Sequence, residues 1–377
     1  DKAVSALADK TLPEITCQSS KSVNTNHGCV YLVGGTDWDA IASDNCGVDS
    51  IRFVISGATN LSGTTLNGVA FHIGISTVTW TVTDESGNTR SCSFTVEVKD
   101  AQNPVFTSCP NGEEFTLPTD SGYSTYKKHG TGWNATATDN CSVDSLYYIL
   151  SGATTGSGVS LDGITFNMGE TSVLWIAVDA SGNKTYCTFT VTVQDNQGPI
   201  FSFCLNGNNP EVNTDQGTNT YTQPDNSWDA IASDNDGIAS LTYVLTGATS
   251  GTGTSLAGVV FNLGTTTVTF TAVDSSGNEV TCVFDVIVSD NQDPIFSFCL
   301  AGDDQEVNTD PGVNTYTQPD NSWDAIASDN DGIASLTYVL SGATSGTGES
   351  LAGVVFNLGT TVVTWTAIDS GGNSNTC

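Results

Sequence analysis

Basic side chains are what this chain has least of. Nine Lys and Arg stand against 41 Asp and Glu in 377 residues, a formal net charge of −32, and no Lys or Arg follows Lys184. Binding nucleic acid needs clustered basic groups to displace counterions, so nucleic acid is excluded as a partner. The second half presents a purely anionic surface, which implies solubility, mutual repulsion between neighbouring domains and room for bound cations. No run of about 20 apolar residues occurs, so the chain as given has no membrane span. No signal peptide is visible, and residue 1 reads as a mature or truncated start. Helical periodicity persists over three turns nowhere.

Chemistry-bearing motifs are equally scarce. His27, His72 and His129 are the only histidines, and no Ser or Cys motif surrounds them, which excludes a catalytic triad. No phosphate-cradling glycine loop or paired metal-histidine motif appears. Asp120-Ser121-Gly122 and Asp369-Ser370-Gly371 formally match the Asp-Ser-Gly of aspartic proteases. The second falls where the chain elsewhere reads Asp84-Glu85-Ser86-Gly87, Asp179-Ala180-Ser181-Gly182 and Asp274-Ser275-Ser276-Gly277. A motif that varies with a recurring turn is a turn, and the chain is read as no enzyme.

What is present is repetition. Trp-Asp-Ala-Ile-Ala-Ser-Asp-Asn fills Trp38–Asn45, Trp228–Asn235 and Trp323–Asn330, and a variant fills Trp133–Asn140, so the four tryptophans stand 95 residues apart. A fixed period identifies a repeat protein, and units of this size match one immunoglobulin-like sandwich. Within each, alternating runs such as Thr267–Val273 and Phe284–Val288 read as half-buried strands, closed by Asx- and Gly-rich turns. The fold expected is all-β: four tandem immunoglobulin-like β-sandwiches of about 95 residues, the last lacking its closing strand. The repeats span 10–100, 101–195, 196–290 and 291–377, with residues 1–9 as an N-terminal strand.

Cysteine follows the period. Cys109 and Cys187, Cys204 and Cys282, and Cys299 and Cys377 are each 78 positions apart, and Cys17 and Cys92 are 75 apart. Each pair would staple the ends of one repeat, in an oxidising compartment. No Cys-x-x-Cys occurs, which argues against zinc.

Ala42-Ser43-Asp44-Asn45-Cys46-Gly47, Val78–Asp84, Glu85-Ser86-Gly87-Asn88 and Cys92–Val96 together resemble the hyalin repeat. Thr138–Cys141, Val178–Asn183 and Cys187–Val191 repeat that set. The resemblance covers essentially the whole chain. It implies immunoglobulin-like modules of extracellular adhesive or structural proteins, as in the large surface proteins and gliding-motility adhesins of Bacteroidetes. It also implies a second disulfide, for which Cys46 would pair with Cys29, leaving Cys141 as a free thiol. Asp236 and Asp331 replace the corresponding cysteine in repeats 3 and 4.

No cofactor is required by this reading, but calcium is a candidate. Asp234 and Asp236, Asp329 and Asp331, and the linker residues Asp195, Asp290 and Asp293 supply hard oxygen ligands, and Asp236 and Asp331 stand where a cysteine has been lost, as if a cation replaced a covalent staple. The alternative is that these Asx turns are solvated. Asn60, Asn134, Asn140 and Asn183 fit Asn-x-Ser/Thr, and Ser50 and Ser145 lie in short O-glycosylation-like tracts.

Ala3, Val4, Ser5, Ala6 and Leu7 stand in the register of a closing strand, and repeat 4 stops before its own. Donation of that strand into the fourth repeat of an identical subunit would be head-to-tail and non-closing, giving a filament. The competing expectation is a stalk segment of a giant surface adhesin. A third is an enzyme accessory or carbohydrate-binding module, for which Tyr221, Tyr316 and Trp228 would be the exposed aromatics. Glycan or cell-surface contacts are expected partners beside identical subunits.

Overall fold

A computed structural model describes residues 9–377; the strand expected at Ala3–Leu7 lies outside them. The described residues form 35 strands and no helix. The chain divides into two compact units, one running to Asp195 and the other from Asn196 to Cys377, and each contains two repeats.

Repeat 1 sets the plan. Its strands are β1 (Glu14–Thr16), β2 (Lys21–Asn24), β3 (Val30–Leu32), β4 (Ile41–Ser43), β5 (Val48–Gly57), β6 (Leu61–Gly63), β7 (Ala70–His72), β8 (Gly74–Asp84) and β9 (Thr89–Lys99). A five-stranded sheet in the order β2-β9-β8-β5-β6 faces two ribbons, β1-β4 and β3-β7. β2 runs parallel to the second half of β9, Lys21 opposite Val96 and Asn24 opposite Lys99, while the other pairs are antiparallel. Period-2 alternation makes the core: Val78, Trp80 and Val82 of β8 and Val96 of β9 are fully buried, with Thr77, Thr79 and Thr81 on the other face. β5 ends at Gly57, where φ is +108° and a Cβ would sit 2.5 Å from the Ile75 carbonyl oxygen, so only glycine fits.

The repeated tryptophan is a packing residue. Trp38 stacks on Tyr31 at 5.2 Å between centroids, Trp133 lies 4.8 Å from Phe115, Trp228 stacks on Tyr221 at 5.7 Å and Trp323 lies 5.7 Å from Tyr316. Tyr221, Tyr316 and Trp228 are therefore half-buried against the core, not the open aromatic platform a sugar-binding face would present.

Repeat 4 departs from the plan. Its sheet has four strands, and the counterpart of β9 is only Ser374–Thr376. Residues 306–308, which correspond to the parallel strand Glu211–Asn213 of repeat 3, form no strand. Exposure differs between the two repeats: Val268 and Phe261 are fully buried, whereas Val363 and Phe356 are half-exposed and Leu358 is 76 % exposed.

Candidate functional site

The structure joins Cys17 to Cys92, Cys109 to Cys187, Cys204 to Cys282 and Cys299 to Cys377, one bridge inside each repeat. The second pairing expected in repeat 1 is wrong. Cys29 is bonded to Cys141 of repeat 2, with Cα atoms 4.6 Å apart, and Cys46 is the free, exposed thiol. The reason is position along the sheet. Cys46 lies at the leading end, where Gly47 O accepts from Glu85 N, and Cys29 lies near the trailing end, where Thr25 N reaches Lys99 O. The 11-residue β9 runs between those ends, a span of roughly 35 Å that no disulfide crosses. At the leading end Asp9 accepts from Cys46, and this hydrogen bond, with burial, pushes the thiol pKa up.

The Cys29–Cys141 bridge lies at the junction of repeats 1 and 2, where other contacts converge. Asp100 follows β9 and is 7 % exposed. Its Oδ1 accepts from Thr25 Oγ1 at 3.3 Å, Gln102 N at 3.2 Å and Asn140 Nδ2 at 3.3 Å. Asn140 Nδ2 also reaches Gly28 O at 3.2 Å, and Asn183 Nδ2 donates to Asp100 O at 3.2 Å. One carboxylate oxygen from Asp100, one from Asp139 and the Cys141 Sγ lie within 4.8 Å of one another. Asp100 Oδ2, Asp139 Oδ2 and Asn140 Oδ1 are buried acceptors with no donor.

Repeats 3 and 4 meet in the same way, 190 residues later. Asp290 Oδ1 accepts from Thr214 Oγ1 at 2.8 Å and Asn330 Nδ2 at 2.9 Å, and Asn330 Nδ2 donates to Thr218 O at 2.9 Å. Asp331 stands in the place of Cys141. Asp290, Asp329, Asp331 and the 1 %-exposed Asp369 each offer an oxygen within 4.8 Å of the others. Asp331 Oδ2 is buried and accepts from no donor. Burial, with the Asp329 contact next, pushes the Asp331 carboxyl above its ordinary pKa. Burial works the same way on Asp290, but the hydrogen bonds from Asn330 and Thr214 hold it below. Asp234 and Asp236 are likewise drawn together with Asp274. The sequence reading found Asp234, Asp236, Asp329, Asp331 and the linker residue Asp290 but missed Asp100, Asp139 and Asp369, which looked like linker or turn residues.

The recurring Asp-x-Ser-Gly-Asn turn does more than reverse the chain. Asp179 Oδ1 accepts from Ser181 N and Asn183 N, and its Oδ2 from Asn183 Nδ2 at 2.7 Å, so the Asn amide is fixed where it can also hold the preceding linker. Asn88 and Asn373 act alike, donating to Asp9 O at 3.1 Å and Asp290 O at 3.3 Å.

The HYR domain matches residues 8–98, 99–193 and 194–288, most of the chain and three of its periods. The chain belongs to the HYR domain family. The resemblance to the hyalin repeat is thus shown for these residues. It is 30 % identical to Hyalin of Strongylocentrotus purpuratus over 97 % of its own length and 27 % of that protein's. Against Hyalin of Lytechinus variegatus it is 31 % identical over 81 % of its length and 52 % of the relative's. The chain therefore spans about a quarter to a half of these relatives. It is also similar to the Serine-rich adhesin for platelets of Staphylococcus aureus, 29 % identical over 35 % of this chain and 6 % of that protein.

The HYR repeats place the candidate glycosylation residues unequally. Asn60 is exposed. Asn134 spends its amide on Ser160 Oγ at 3.0 Å and accepts from Leu161 N, while the Asn140 and Asn183 amides hold junctions. Ser50 and Ser145 are half-buried.

Proposed function

We propose that this HYR chain is a structural subunit of an extracellular filament, in which a strand from one subunit completes repeat 4 of the next. The observation that carries the reading is the bare flank of Thr361–Asp369 in repeat 4. That strand pairs with Ser374–Thr376 over three positions only, whereas Gly264–Asp274 pairs with Glu279–Ser289 over ten. An uncovered edge presents unpaired backbone groups beside exposed core, and an added strand satisfies both. Ala3–Leu7 stand in the register of the missing strand and supply the occupant, from an identical chain. Five disulfides support an oxidising, extracellular location, and Hyalin and adhesin relatives support a structural or adhesive role.

A second reading is favoured by the lengths of the relatives. Since the chain spans 27 % and 52 % of two Hyalins, the strand could come from the same polypeptide in a longer stalk or adhesin. Deletion of residues 1–9 separates the two. Under the filament reading the purified chain polymerises and the deletion abolishes it, with added peptide 1–9 binding repeat 4. Polymers that form unchanged without residues 1–9 would sink strand donation.

A further inference from the structure

The repeat junctions hold oxygen atoms that the protein's own donors leave unsatisfied. At the junction of repeats 1 and 2 the orphans are Asp100 Oδ2, Asp139 Oδ2 and Asn140 Oδ1, and Asp100 is itself only 7 % exposed. At the junction of repeats 3 and 4 the orphan is Asp331 Oδ2, among four carboxylates that each bring an oxygen within 4.8 Å of the rest. Ionised carboxylates only accept hydrogen bonds, so crowding them together without donors is costly. No Lys or Arg exists anywhere in repeats 3 and 4 to offset that charge.

We propose that each of these junctions binds a divalent cation, calcium by its ligand chemistry, through Asp290, Asp329, Asp331 and Asp369 between repeats 3 and 4, and through Asp100, Asp139 and Asn140 between repeats 1 and 2. The donors are carboxylate and amide oxygens, the hard ligands that calcium takes in irregular geometry. The one sulfur nearby, Cys141 Sγ, is committed to a disulfide. Two independent features point the same way. First, both junctions bring the corresponding pairs Asp100 with Asp139 and Asp290 with Asp329 into a cluster that contains at least one orphaned buried carboxylate oxygen. Second, the position that carries a covalent cross-link in repeat 2, Cys141, carries a carboxylate in repeat 4, Asp331. The ion ties linker residue Asp290 to the turns of the following repeat, as the disulfide ties repeat 1 to repeat 2. The proposal concerns junctions inside one chain and stands whether or not the chain polymerises.

The test uses the full chain, stripped with EDTA and titrated with calcium chloride. Thermal melting and hydrogen exchange of segments 288–294 and 326–332 are the readouts. Calcium is expected to slow exchange in both segments at least ten-fold. Asp329→Asn/Asp331→Asn removes that protection and leaves the calcium response of segments 98–104 and 136–142 intact, which Asp139→Asn removes instead. Asp303→Asn, at an exposed site away from the cluster, changes neither. In EDTA the double variant melts above the wild type because repulsion is relieved; in saturating calcium the order reverses. A variant that melts higher in both conditions, or a calcium effect reproduced by sodium chloride of equal ionic strength, overturns the site.

Discussion

Cys29 of repeat 1 and Cys141 of repeat 2, 112 residues apart in sequence, form a disulfide across the junction between the repeats. It is a covalent tie parallel to the polypeptide linker, so breaking the linker does not by itself separate the two repeats. Limited proteolysis within residues 101–104 should leave a product that migrates as one species without reductant and as two with it. The Cys29→Ser/Cys141→Ser variant should separate in both cases. Iodoacetamide should label Cys46 alone in the unreduced chain, and slowly until the pH exceeds the range of an ordinary thiol, because Asp9 and burial raise its pKa.

The bridges inside repeats act differently. Cys204 and Cys282 close a loop with a sequence separation of 78, worth about 4 kcal/mol in the chain-entropy model. Cys204→Ala/Cys282→Ala should lower the stability of repeat 3 by up to that amount. Denaturant unfolding followed by hydrogen exchange of segment 264–274 measures it.

Asn183→Ala strips Asp179 Oδ2 of its donor and frees the linker carbonyl of Asp100. Asp179 is 2 % exposed and keeps the backbone donors on Oδ1, so one buried carboxylate oxygen is left without its donor, at a cost of about 1–3 kcal/mol. Exchange should rise in segment 99–103 of the variant before global unfolding does. Equal exchange in variant and wild type would show that the turn does not hold the linker.

The Asp331 pKa is raised in the folded protein, so the folded state holds its proton more tightly than the unfolded chain. The associated stability is present at low pH and is lost as pH rises through the raised value. In EDTA, wild type should therefore lose stability relative to Asp331→Asn as pH climbs from the ordinary carboxylate range toward neutrality. Asp290, held below its ordinary value by Asn330 and Thr214, contributes with the opposite sign, losing stability as pH falls. Asp290→Asn should flatten the acid limb. Melting temperatures across pH for the two variants check both.

Much of the fold was legible because it is periodic. Trp38, Trp133, Trp228 and Trp323 fixed the frame, and strict alternation in Val78, Trp80 and Val82 identified strands without ambiguity. The junctions were less legible, since they depend on which end of a sheet a turn occupies. Spacing alone cannot tell that Cys29 sits at the trailing end of repeat 1 and Cys46 at the leading end, so the nearer cysteine looked like the partner. Asp100 was hidden for a related reason. In sequence it is a linker residue after a strand, and only the fold brings the Asp139 turn against it. The signal that was available is the substitution of Asp331 for Cys141 at one place in the period.

The position of the Cys204–Cys282 bridge decides how a repeat responds to being pulled. Tension arriving along Ile200–Phe203 passes through the sulfur atoms to Cys282 and leaves along the rest of Glu279–Ser289, bypassing everything between. The 95-residue period less the 78-residue separation leaves only about 17 residues in the load path, able to stretch to about 60 Å rather than about 320 Å. The sheet and its tryptophan core hang beside that path as slack that cannot be drawn out, so an oxidised repeat is a nearly inextensible link.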